Sequence, residues 1–336
     1  MMRAVRFHKP GDLRVEDVPW PPAPGPGQVL LRVTAAGICG SDLHNYRTGM
    51  WVADLPVTPG HELSGEVLAV GPGVTGFAPG DLAVADSRVA CGTCPNCLAR
   101  RGNLCGRIGF VGEVCDGGFA EQVVLPATGL LKAPAGLSPL IAAMAEPLAV
   151  ALHAMRRLDP SPGAPILITG GGTIGGLTAL LLAEHGFGPI LLAERNPARA
   201  ALLAAVVGTR PVALDQDSLK QATGGSDPRF CLDATGSLDV LRFLLRATAS
   251  GGRLAMVGIF HGEGVLDPNL IVERELDLRG CSVYAGEQAE ALALLPRLAG
   301  KLAQLAEAPI GLDAVPAAYE RLIRGDSDRL KTLIVP

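Results

Sequence analysis

The chain has 336 residues, 48% of them hydrophobic and 18% charged, which is enough for two domains and excludes extended disorder. Its formal net charge is −4, from 29 Lys and Arg against 33 Asp and Glu, with no long run of one sign. This balance disfavours nucleic acid and anionic membrane surfaces as partners and leaves a small molecule as the expected one.

No targeting or membrane-spanning segment is predicted. The longest uncharged stretch, residues 160–183, contains Pro162, Pro165 and a run of three glycines, which would interrupt a lipid-exposed helix. The N-terminal residues carry scattered charges and no apolar signal core. We therefore expect a cytoplasmic protein whose thiols are reduced.

The first 146 residues are rich in proline and glycine and predict an irregular β domain. Short alternating segments, Gln28 to Val33 and Glu62 to Val70, have the pattern of half-buried strands.

Candidate metal ligands lie between these two segments and at the start of the second one. Cys39 lies in the segment GICGSDLH, a glycine-flanked turn that also holds a hydroxyl, a carboxylate and an imidazole, and His61 and Glu62 begin the strand. Cysteine and histidine are good zinc ligands, and Glu62 could be a third ligand or a neighbour of the metal. The residue types alone leave a hydrogen-bonded structural histidine as the alternative.

A ladder of four cysteines forms a second candidate metal site. Two successive C-x-x-C steps and a cysteine eight residues later let four thiolates converge on one tetrahedral zinc ion, which we predict to be structural because no coordination position stays open. Disulfides are the alternative, and a cytoplasmic setting disfavours them. The four residues are Cys91, Cys94, Cys97 and Cys105. The isolated Cys115, Cys231 and Cys281 have apolar neighbours and are predicted to be small buried side chains.

One carboxylate interrupts an apolar segment near the middle of the chain. Glu146, in MAEPLAVALHAM, needs a cation or a hydrogen-bond network to compensate for its desolvation. The alternative is a carboxylate satisfied by the backbone amides of a helix N-terminus, with Pro147 at a first helical position.

After Leu158 the pattern changes to that of a parallel sheet covered by helices. Apolar runs, among them Ile166 to Thr169 and Ile190 to Ala193, alternate with helical stretches rich in alanine and leucine, which is the βαβ pattern. Between the first run and its helix lies GGGTIG. It satisfies the G-x-G-x-x-G pattern through Gly170, Gly172 and Gly175.

This loop predicts a dinucleotide site. Its glycines permit a tight turn that brings a pyrophosphate to the N-terminus of the helix at Thr173 and Ile174. Glu194 ends the second strand, where a carboxylate can accept hydrogen bonds from the adenosine ribose, and its charge favours NAD over NADP. Arg195 and Arg199 could bind a 2′-phosphate, with a solvated cationic helix start as the ordinary alternative.

Near Tyr284 the sheet pattern stops. A helical segment, a loop and a terminal strand, Thr332 to Val335, remain, and we expect this tail to return to the first domain. The predicted domains are residues 1–146 together with 286–336, and residues 147–285.

Together these features closely resemble the zinc-containing medium-chain alcohol and polyol dehydrogenases, over essentially the whole chain. The branch with sorbitol, 2,3-butanediol, L-idonate and threonine dehydrogenases is the most similar. GHELSGEVLAVGPGV is similar to the zinc signature of the family and GDLAVADSRVACGTCPNC to its structural-zinc lobe, and DGGFAEQVVLP, AEPLAVALHA, DATGS and LIRGDSDRLKTLIV also resemble family segments. The resemblance implies an α/β protein with a GroES-like, β-rich catalytic domain and a Rossmann cofactor domain built on a doubly wound parallel sheet.

The resemblance also implies the ligands of a catalytic zinc. Cys39 and His61 would bind the metal, with Glu62 as the third ligand or the immediate neighbour of the metal. Glu146 falls where alcohol dehydrogenases proper place a cysteine and the polyol branch places a glutamate. It would therefore touch the metal directly or through water.

Ser41 and His44 match the proton relay of the family, in which a hydroxyl contacts the substrate oxygen and the proton leaves through the nicotinamide ribose to an imidazole. Zinc would act as a Lewis acid on the alcohol, and NAD would accept the hydride. We expect two zinc ions per chain, one catalytic and one structural, and NAD-dependent oxidation of a secondary alcohol such as a small diol, polyol or sugar alcohol.

The expected substrate contacts depart from those of sorbitol dehydrogenases at one position. In those enzymes an arginine precedes a tyrosine in the last strand of the cofactor domain, whereas this chain has Val283 before Tyr284. Tyr284 stays a candidate substrate contact, and a long sugar alcohol is less expected. Trp51 and Phe110 could wall the pocket, with plain core packing as the alternative.

Members of the family usually form dimers or tetramers through the edge strand of the cofactor sheet, here residues 276–284. By that analogy we expect a homotetramer, with a dimer as the alternative.

Two rival functions stay open. One is a dehydrogenase or ketoreductase of a specialised metabolite, such as an aminocyclitol or a sugar intermediate. The other is a non-catalytic sensor or scaffold that binds zinc and nucleotide. The joint presence of the relay and ligand residues disfavours the scaffold, because a retired active site is expected to lose at least one of them.

Overall fold

The chain forms sixteen β-strands and eleven α-helices in a computed structural model that describes all 336 residues. The strands are β1 Met2–Lys9, β2 Asp12–Val18, β3 Gln28–Gly37, β4 Glu62–Val70, β5 Leu82–Ala85, β6 Arg88–Val89, β7 Gly109–Phe110, β8 Gln122–Pro126, β9 Leu130–Lys132, β10 Ile166–Thr169, β11 Ile190–Ala193, β12 Arg210–Pro211, β13 Phe230–Asp233, β14 Arg253–Met256, β15 Asp277–Gly280 and β16 Leu333–Ile334. The helices are α1 Gly40–Thr48, α2 Pro95–Leu98, α3 Pro139–Ala142, α4 Ala145–Leu158, α5 Thr173–Glu184, α6 Pro197–Val207, α7 Gln216–Ala222, α8 Leu238–Ala247, α9 Asn269–Val272, α10 Gln288–Leu305 and α11 Val315–Ile323. None of these helices combines the length and the apolar character needed to cross a bilayer.

The chain divides into two units. Unit 1 comprises Met1–Ala149, Ala285–Ser327 and Lys331–Pro336, and unit 2 comprises Val150–Tyr284 and Asp328–Leu330.

Unit 1 is built on a six-stranded antiparallel sheet. Its strand order is β16, β3, β4, β5, β9, and β8 also pairs with β3. Along β3 the buried side chains of Val29, Leu31 and Val33 alternate with more exposed ones, so one face of the strand packs on the core. The structure confirms β4 with the predicted bounds and extends β3 to Gly37. This extension carries the chain to Cys39 at the start of α1.

Unit 2 contains a six-stranded parallel sheet in the order β12, β11, β10, β13, β14, β15. The order reverses beside β10, as the predicted doubly wound fold requires. Every residue of β10 is buried, because helices cover both faces of such a sheet.

The last strand of this sheet, β15, is shorter than predicted. It lies at the sheet edge but ends at Gly280. Val283 has a φ of 50°, which is outside the range of a β-strand, so the strand cannot continue to Tyr284.

The prediction that the three isolated cysteines are buried is correct only for Cys231, in β13. Cys281 is half-buried and Cys115 is exposed. The apolar neighbour Val114 is itself 42% exposed. Apolar neighbours in an irregular surface turn therefore did not indicate a buried thiol.

A half-buried carboxylate ties the C-terminal segments of unit 1 together. Glu307 follows α10 and accepts two hydrogen bonds from the guanidinium of Arg321 in α11, at 2.8 and 2.6 Å. The hydroxyls of Ser327 and Thr332 donate to the same carboxylate at 2.7 and 2.8 Å. Burial of the carboxylate opposes ionisation, but these hydrogen bonds outweigh it and lower the pKa of Glu307 to about 2.

We expect Glu307→Gln to make the protein less stable at pH 7 and less sensitive to acid. The folded-state pKa of Glu307 is depressed, so its stabilising effect is complete above the unfolded pKa of about 4.5 and is lost as the pH falls towards about 2. After allowance for solvent screening, the loss at pH 7 is about 2 kcal/mol. Thermal denaturation of both proteins between pH 7 and pH 3.5 measures the difference. If the melting temperatures of the unmodified protein and of Glu307→Gln changed in parallel with pH, ionised Glu307 would not stabilise the fold.

Candidate active site and metal centres

The turn into α1 positions a cysteine and a carboxylate beside each other. Cys39 is the N-cap of α1, and its backbone N–H donates to Oδ2 of Asp42 at 2.8 Å. This is half of a capping box, which satisfies a backbone donor at the helix start and fixes the carboxylate. Asp42 is buried, and so is His44, two positions later in the same helix.

A glycine lets His61 enter the site at the start of β4. Gly60 has a φ of 102°, and a Cβ at this position would lie 2.4 Å from Cδ1 of Phe119. Both the backbone conformation and the packing therefore require glycine. The imidazole of the next residue, His61, is buried.

The three predicted ligands in this region come together. One ligating atom each from Cys39, His61 and Glu62 lies within 4.8 Å of the others. Oδ1 of Asp42 lies 3.6 Å from Nδ1 of His61, and Oγ of Ser41 lies 3.5 Å from Nε2.

The electrostatics of this cluster suit a cation. Nδ1 of His61 is buried without a hydrogen bond. Burial opposes protonation of the imidazole, but the negative charges of Asp42 and Cys39 outweigh it and raise the pKa of His61 well above its usual value. A thiolate, an imidazole and a carboxylate form a donor set that zinc binds, so the residues present fit the metal that the sequence implies.

Glu62 is also held by a buried cation. The Nζ of Lys331 forms an ion pair with Oε2 of Glu62 and donates to the carbonyl of Ile38 at 2.8 Å. Both charged side chains are only 1% exposed. A buried charge needs such a partner, so Lys331 fixes the position of this carboxylate next to Cys39 and His61.

Glu146 lies near the cluster but is not among its three converging residues. Its Oε1 accepts a hydrogen bond from Oγ of Ser87 at 2.8 Å. Burial raises the pKa of Glu146 to about 7. The positive charge of His61 opposes this rise, and the negative charge of Glu62 adds to it. The carboxylate therefore has a side-chain partner in Ser87, and its metal role stays a prediction.

Two aromatic rings border the same residues. The indole of Trp51 stacks on the imidazole of His44, with ring centroids 4.4 Å apart, and is 39% exposed. The ring of Phe110 lies 6.3 Å from that of His61. Tyr284, the third predicted substrate contact, is fully buried and belongs to unit 2.

The cysteine ladder folds into a site of the right size for zinc. The four sulfurs of Cys91, Cys94, Cys97 and Cys105 lie within 4.8 Å of one another. The sulfur of Cys97 is 3.9 Å from that of Cys91 and 3.5 Å from that of Cys94, close to the ~3.8 Å edge of a tetrahedron of sulfurs around zinc.

Backbone amides favour the thiolate form at part of this lobe. The amides of Cys91 and Arg107 each donate to the sulfur of Cys105 at 3.4 Å. Hydrogen bonds from backbone amides, that of Thr93 first, lower the pKa of Cys91 to about 5, whereas burial and the neighbouring sulfur of Cys94 raise the pKa of Cys97 to about 12. Thiolates are the form that binds the metal, so this environment fits a four-cysteine zinc site.

In unit 2 the glycine loop has the close packing that a dinucleotide turn requires. A Cβ at Gly175 would lie 1.9 Å from the carbonyl oxygen of Gly170, so no other residue fits there. Helix α5 begins at Thr173 with Gly172 as its N-cap. The hydroxyl of Thr173 donates to the carbonyl of Leu330, so this hydroxyl already has a hydrogen-bond partner within unit 2.

Glu194 is held against the glycine loop by the backbone. Its Oε2 accepts from the amide of Gly171 at 2.6 Å and its Oε1 from the amide of Asn196 at 2.7 Å. Nη1 of Arg199 lies 3.5 Å from Oε2. A cavity lined by Gly170, Gly172, Glu194, Arg195, Arg199 and Thr235, among others, opens beside this carboxylate.

Two residues that the sequence did not reveal as site residues are Asp42 and Lys331. Asp42 stands three residues after Cys39, and this capping-box spacing is a local signal that a carboxylate would turn back on the cysteine. Lys331 lies 269 positions after Glu62, and no local pattern indicates that pairing.

Comparisons with known proteins agree with this geometry. Residues 25–135 match the family described as alcohol dehydrogenase GroES-like domain, and residues 173–299 match zinc-binding dehydrogenase. Sorbitol dehydrogenase of Bacillus subtilis is 30% identical over 344 residues, covering 100% of this chain and 97% of its own. L-threonine 3-dehydrogenase of Pyrococcus horikoshii is 34% identical over 291 residues, covering 83% and 82%.

Among solved structures, a zinc-binding dehydrogenase from Sinorhizobium meliloti 1021 bound to NADP is similar throughout. It has a TM-score of 0.92 and 31% identity, and the match covers 100% of this chain and 99% of that one. The chain belongs to the zinc-containing medium-chain alcohol and polyol dehydrogenase family. The GroES-like and Rossmann fold predicted from the sequence is thereby confirmed.

Proposed function

We propose that this enzyme oxidises a secondary alcohol to a ketone with NAD as the hydride acceptor. The observation that carries the proposal is the convergence of Cys39, His61 and Glu62, with the hydroxyl of Ser41 3.5 Å from the imidazole of His61. Cys39 and His61 would hold the catalytic zinc. Glu62 would lie at the metal as its third ligand or nearest carboxylate.

Zinc bound there would supply a Lewis acid that lowers the pKa of the alcohol hydroxyl, and NAD would take up the hydride. Oγ of Ser41 would accept the hydroxyl proton while it releases its own proton towards the imidazole of His44, and His44 would pass a proton to solvent. The carboxylate of Asp42, 3.6 Å from Nδ1 of His61, attracts the imidazole without a hydrogen bond, and Lys331 holds Glu62 through an ion pair. These contacts keep the site in place before substrate arrives.

The proposed substrate is a small diol, polyol or sugar alcohol. Trp51 and Phe110 present aromatic surface beside His44 and His61, and the carbon chain of such a substrate would pack against it. The relatives are named for sorbitol and for threonine, and both molecules carry a secondary hydroxyl. Tyr284 is proposed as a further substrate contact.

The proposal is tested by NADH formation over a panel of secondary alcohols, with primary alcohols of equal carbon number as controls. The expected result is turnover of several secondary alcohols with kcat/KM at least about tenfold above that of the primary alcohols. Turnover confined to primary alcohols would contradict the proposal.

NAD is the proposed cofactor because Glu194 places a fixed negative charge beside the predicted ribose site. Both carboxylate oxygens are held by backbone amides, so the charge cannot swing away from a 2′-phosphate. Arg195 and Arg199 border the same cavity, and the similar S. meliloti structure binds NADP, so NADP is the alternative cofactor.

We expect kcat/KM for NAD to exceed that for NADP by at least about tenfold, and Glu194→Gln to reduce this ratio by about tenfold because it removes the repulsion. Steady-state kinetics with both cofactors measures the ratio. Glu273→Gln, the same change at an exposed position of unit 2, is the matched control. Equal use of both cofactors by the unmodified enzyme would refute the assignment.

A further inference from the structure

One buried hydroxyl in unit 1 has no hydrogen-bond partner in the protein. Tyr319 lies in α11 and is only 1% exposed, and its Oη makes no hydrogen bond to any protein atom. Burial raises the pKa of Tyr319 well above its usual value, and the negative charges of Asp42 and Cys39 add to the rise. The hydroxyl therefore keeps its proton and stays a donor. Because a buried donor without an acceptor is costly, its surroundings need to supply one.

Aromatic packing fixes the direction of this hydroxyl. The ring centroid of Tyr319 lies 5.6 Å from that of Tyr46 and 6.5 Å from that of Phe119, with an angle of 82° between the ring planes in each case. Such edge-to-face pairs are favourable and hold the ring on two sides. Phe119 in turn packs against Gly60, the residue before His61. The hydroxyl cannot turn towards another partner without disrupting this packing.

A small cavity with polar walls lies at this side chain. Its lining includes Asp42, Asn45 and Tyr319 together with apolar side chains, and it offers about 10 Å³ to a sphere of the size of a water molecule. A buried water needs about 10–15 Å³ of such space and two to four polar partners. Nδ2 of Asn45 donates to Glu113 at 2.9 Å, which leaves one N–H of this amide for another acceptor. The cavity therefore fits a single water.

Asp42 connects this cavity with the candidate metal ligands. Its Oδ2 accepts from the backbone amide of Cys39 at 2.8 Å, and its Oδ1 lies 3.6 Å from Nδ1 of His61. A carboxylate has four lone-pair sites, so it can accept from a water as well. A water that accepts from the hydroxyl of Tyr319 and donates to Asp42 satisfies both side chains.

We propose that one water bound in this cavity bridges the hydroxyl of Tyr319 and the carboxylate of Asp42, which makes Tyr319 a positioning residue for the candidate metal site. The bridge holds Asp42 on the amide of Cys39 and beside the imidazole of His61, the two residues proposed to hold the catalytic zinc. Outer contacts of this kind orient the ligands of a metal. The effect on zinc rests on the proposed function, whereas the water bridge itself does not.

The bridge is tested first by a high-resolution crystal structure of the unmodified enzyme. We expect density for one water within about 3.2 Å of both Oη of Tyr319 and a carboxylate oxygen of Asp42. Tyr319→Phe then removes the hydroxyl and keeps the ring. A bridged hydroxyl predicts that this variant melts about 2–4 °C below the unmodified enzyme, whereas a hydroxyl without a partner predicts an equal or higher melting temperature.

The positioning role is tested by the zinc affinity of the same variant, measured by competition with a chelator. The Cys39→Ala protein, which is expected to keep only the zinc of the cysteine lobe, identifies which ion is released. We expect Tyr319→Phe to weaken binding of the other ion by about tenfold. Tyr46→Phe is the matched control, because its ring packs on the same tyrosine but its hydroxyl donates to Glu320 at 2.7 Å. This control should keep the zinc affinity of the unmodified enzyme.

Three results would each overturn the inference: density without a water between Tyr319 and Asp42, a Tyr319→Phe protein that melts at or above the temperature of the unmodified enzyme, or equal zinc affinity in the two tyrosine variants. A bridging water and weakened zinc binding, in an enzyme that oxidises no secondary alcohol, would instead count against the proposed function and leave this inference standing.

Discussion

Replacing Cys39 with alanine is expected to lower kcat/KM for secondary-alcohol oxidation by at least about 10³-fold and to reduce the zinc content from two ions per chain to one. The thiolate is one of three ligating groups that converge beside Ser41. Without it the site would bind zinc weakly, and several kcal/mol of transition-state stabilisation would be lost. Steady-state kinetics and metal analysis of the same preparation measure both effects.

The matched control for this change is Cys115→Ala. Cys115 is exposed and belongs to neither candidate metal cluster, so its replacement tests the general effect of removing a thiol. The control should keep two zinc ions and full turnover. A Cys39→Ala protein that folds, keeps both zinc ions and turns over normally would show that the metal is held elsewhere.

Replacing Cys94 with serine is expected to remove the other zinc ion and to destabilise the protein without abolishing turnover. Cys94 contributes one of the four sulfurs in the lobe between Cys91 and Cys105. The proposed relay residues, Ser41 and His44, do not belong to that cluster. Zinc binding at such a site contributes directly to folding, so the melting temperature should fall by about 5–10 °C.

Below the melting temperature, kcat/KM of Cys94→Ser should stay within about tenfold of the unmodified enzyme, because a closed four-cysteine site supplies no open position for substrate. Differential scanning calorimetry with metal analysis measures the first effect, and kinetics at 25 °C the second. Cys115→Ser is the control for the chemical change. An unchanged melting temperature with both zinc ions retained would contradict a structural role for the lobe.

The parts of this protein that were predictable from sequence are those with a local physical cause. The apolar run of β10 and the glycine loop that follows are adjacent in the chain, and Gly175 is required by a contact with Gly170 only five positions away. The cysteine ladder is similarly compact. In these segments the sequence pattern and the three-dimensional contact concern the same few residues.

The parts that could not be predicted depend on pairing between distant segments. The partner of Glu62 is Lys331, and the partner of Glu113 is Asn45, 68 positions away. Both contacts arise only when separate strands and turns pack together. The exposed position of Cys115 has the same cause, because tertiary packing and not the apolar neighbours decides which side of a turn faces solvent.

The measurement that tests the central claim most directly follows zinc content and secondary-alcohol turnover in the same samples of the unmodified enzyme, during chelation and after zinc is returned. We predict two zinc ions per chain at the start, turnover that falls as the ion at Cys39 and His61 is removed, and recovery when zinc is restored. Turnover that persists after both ions are gone, or two bound zinc ions with no turnover of any secondary alcohol, would contradict the account.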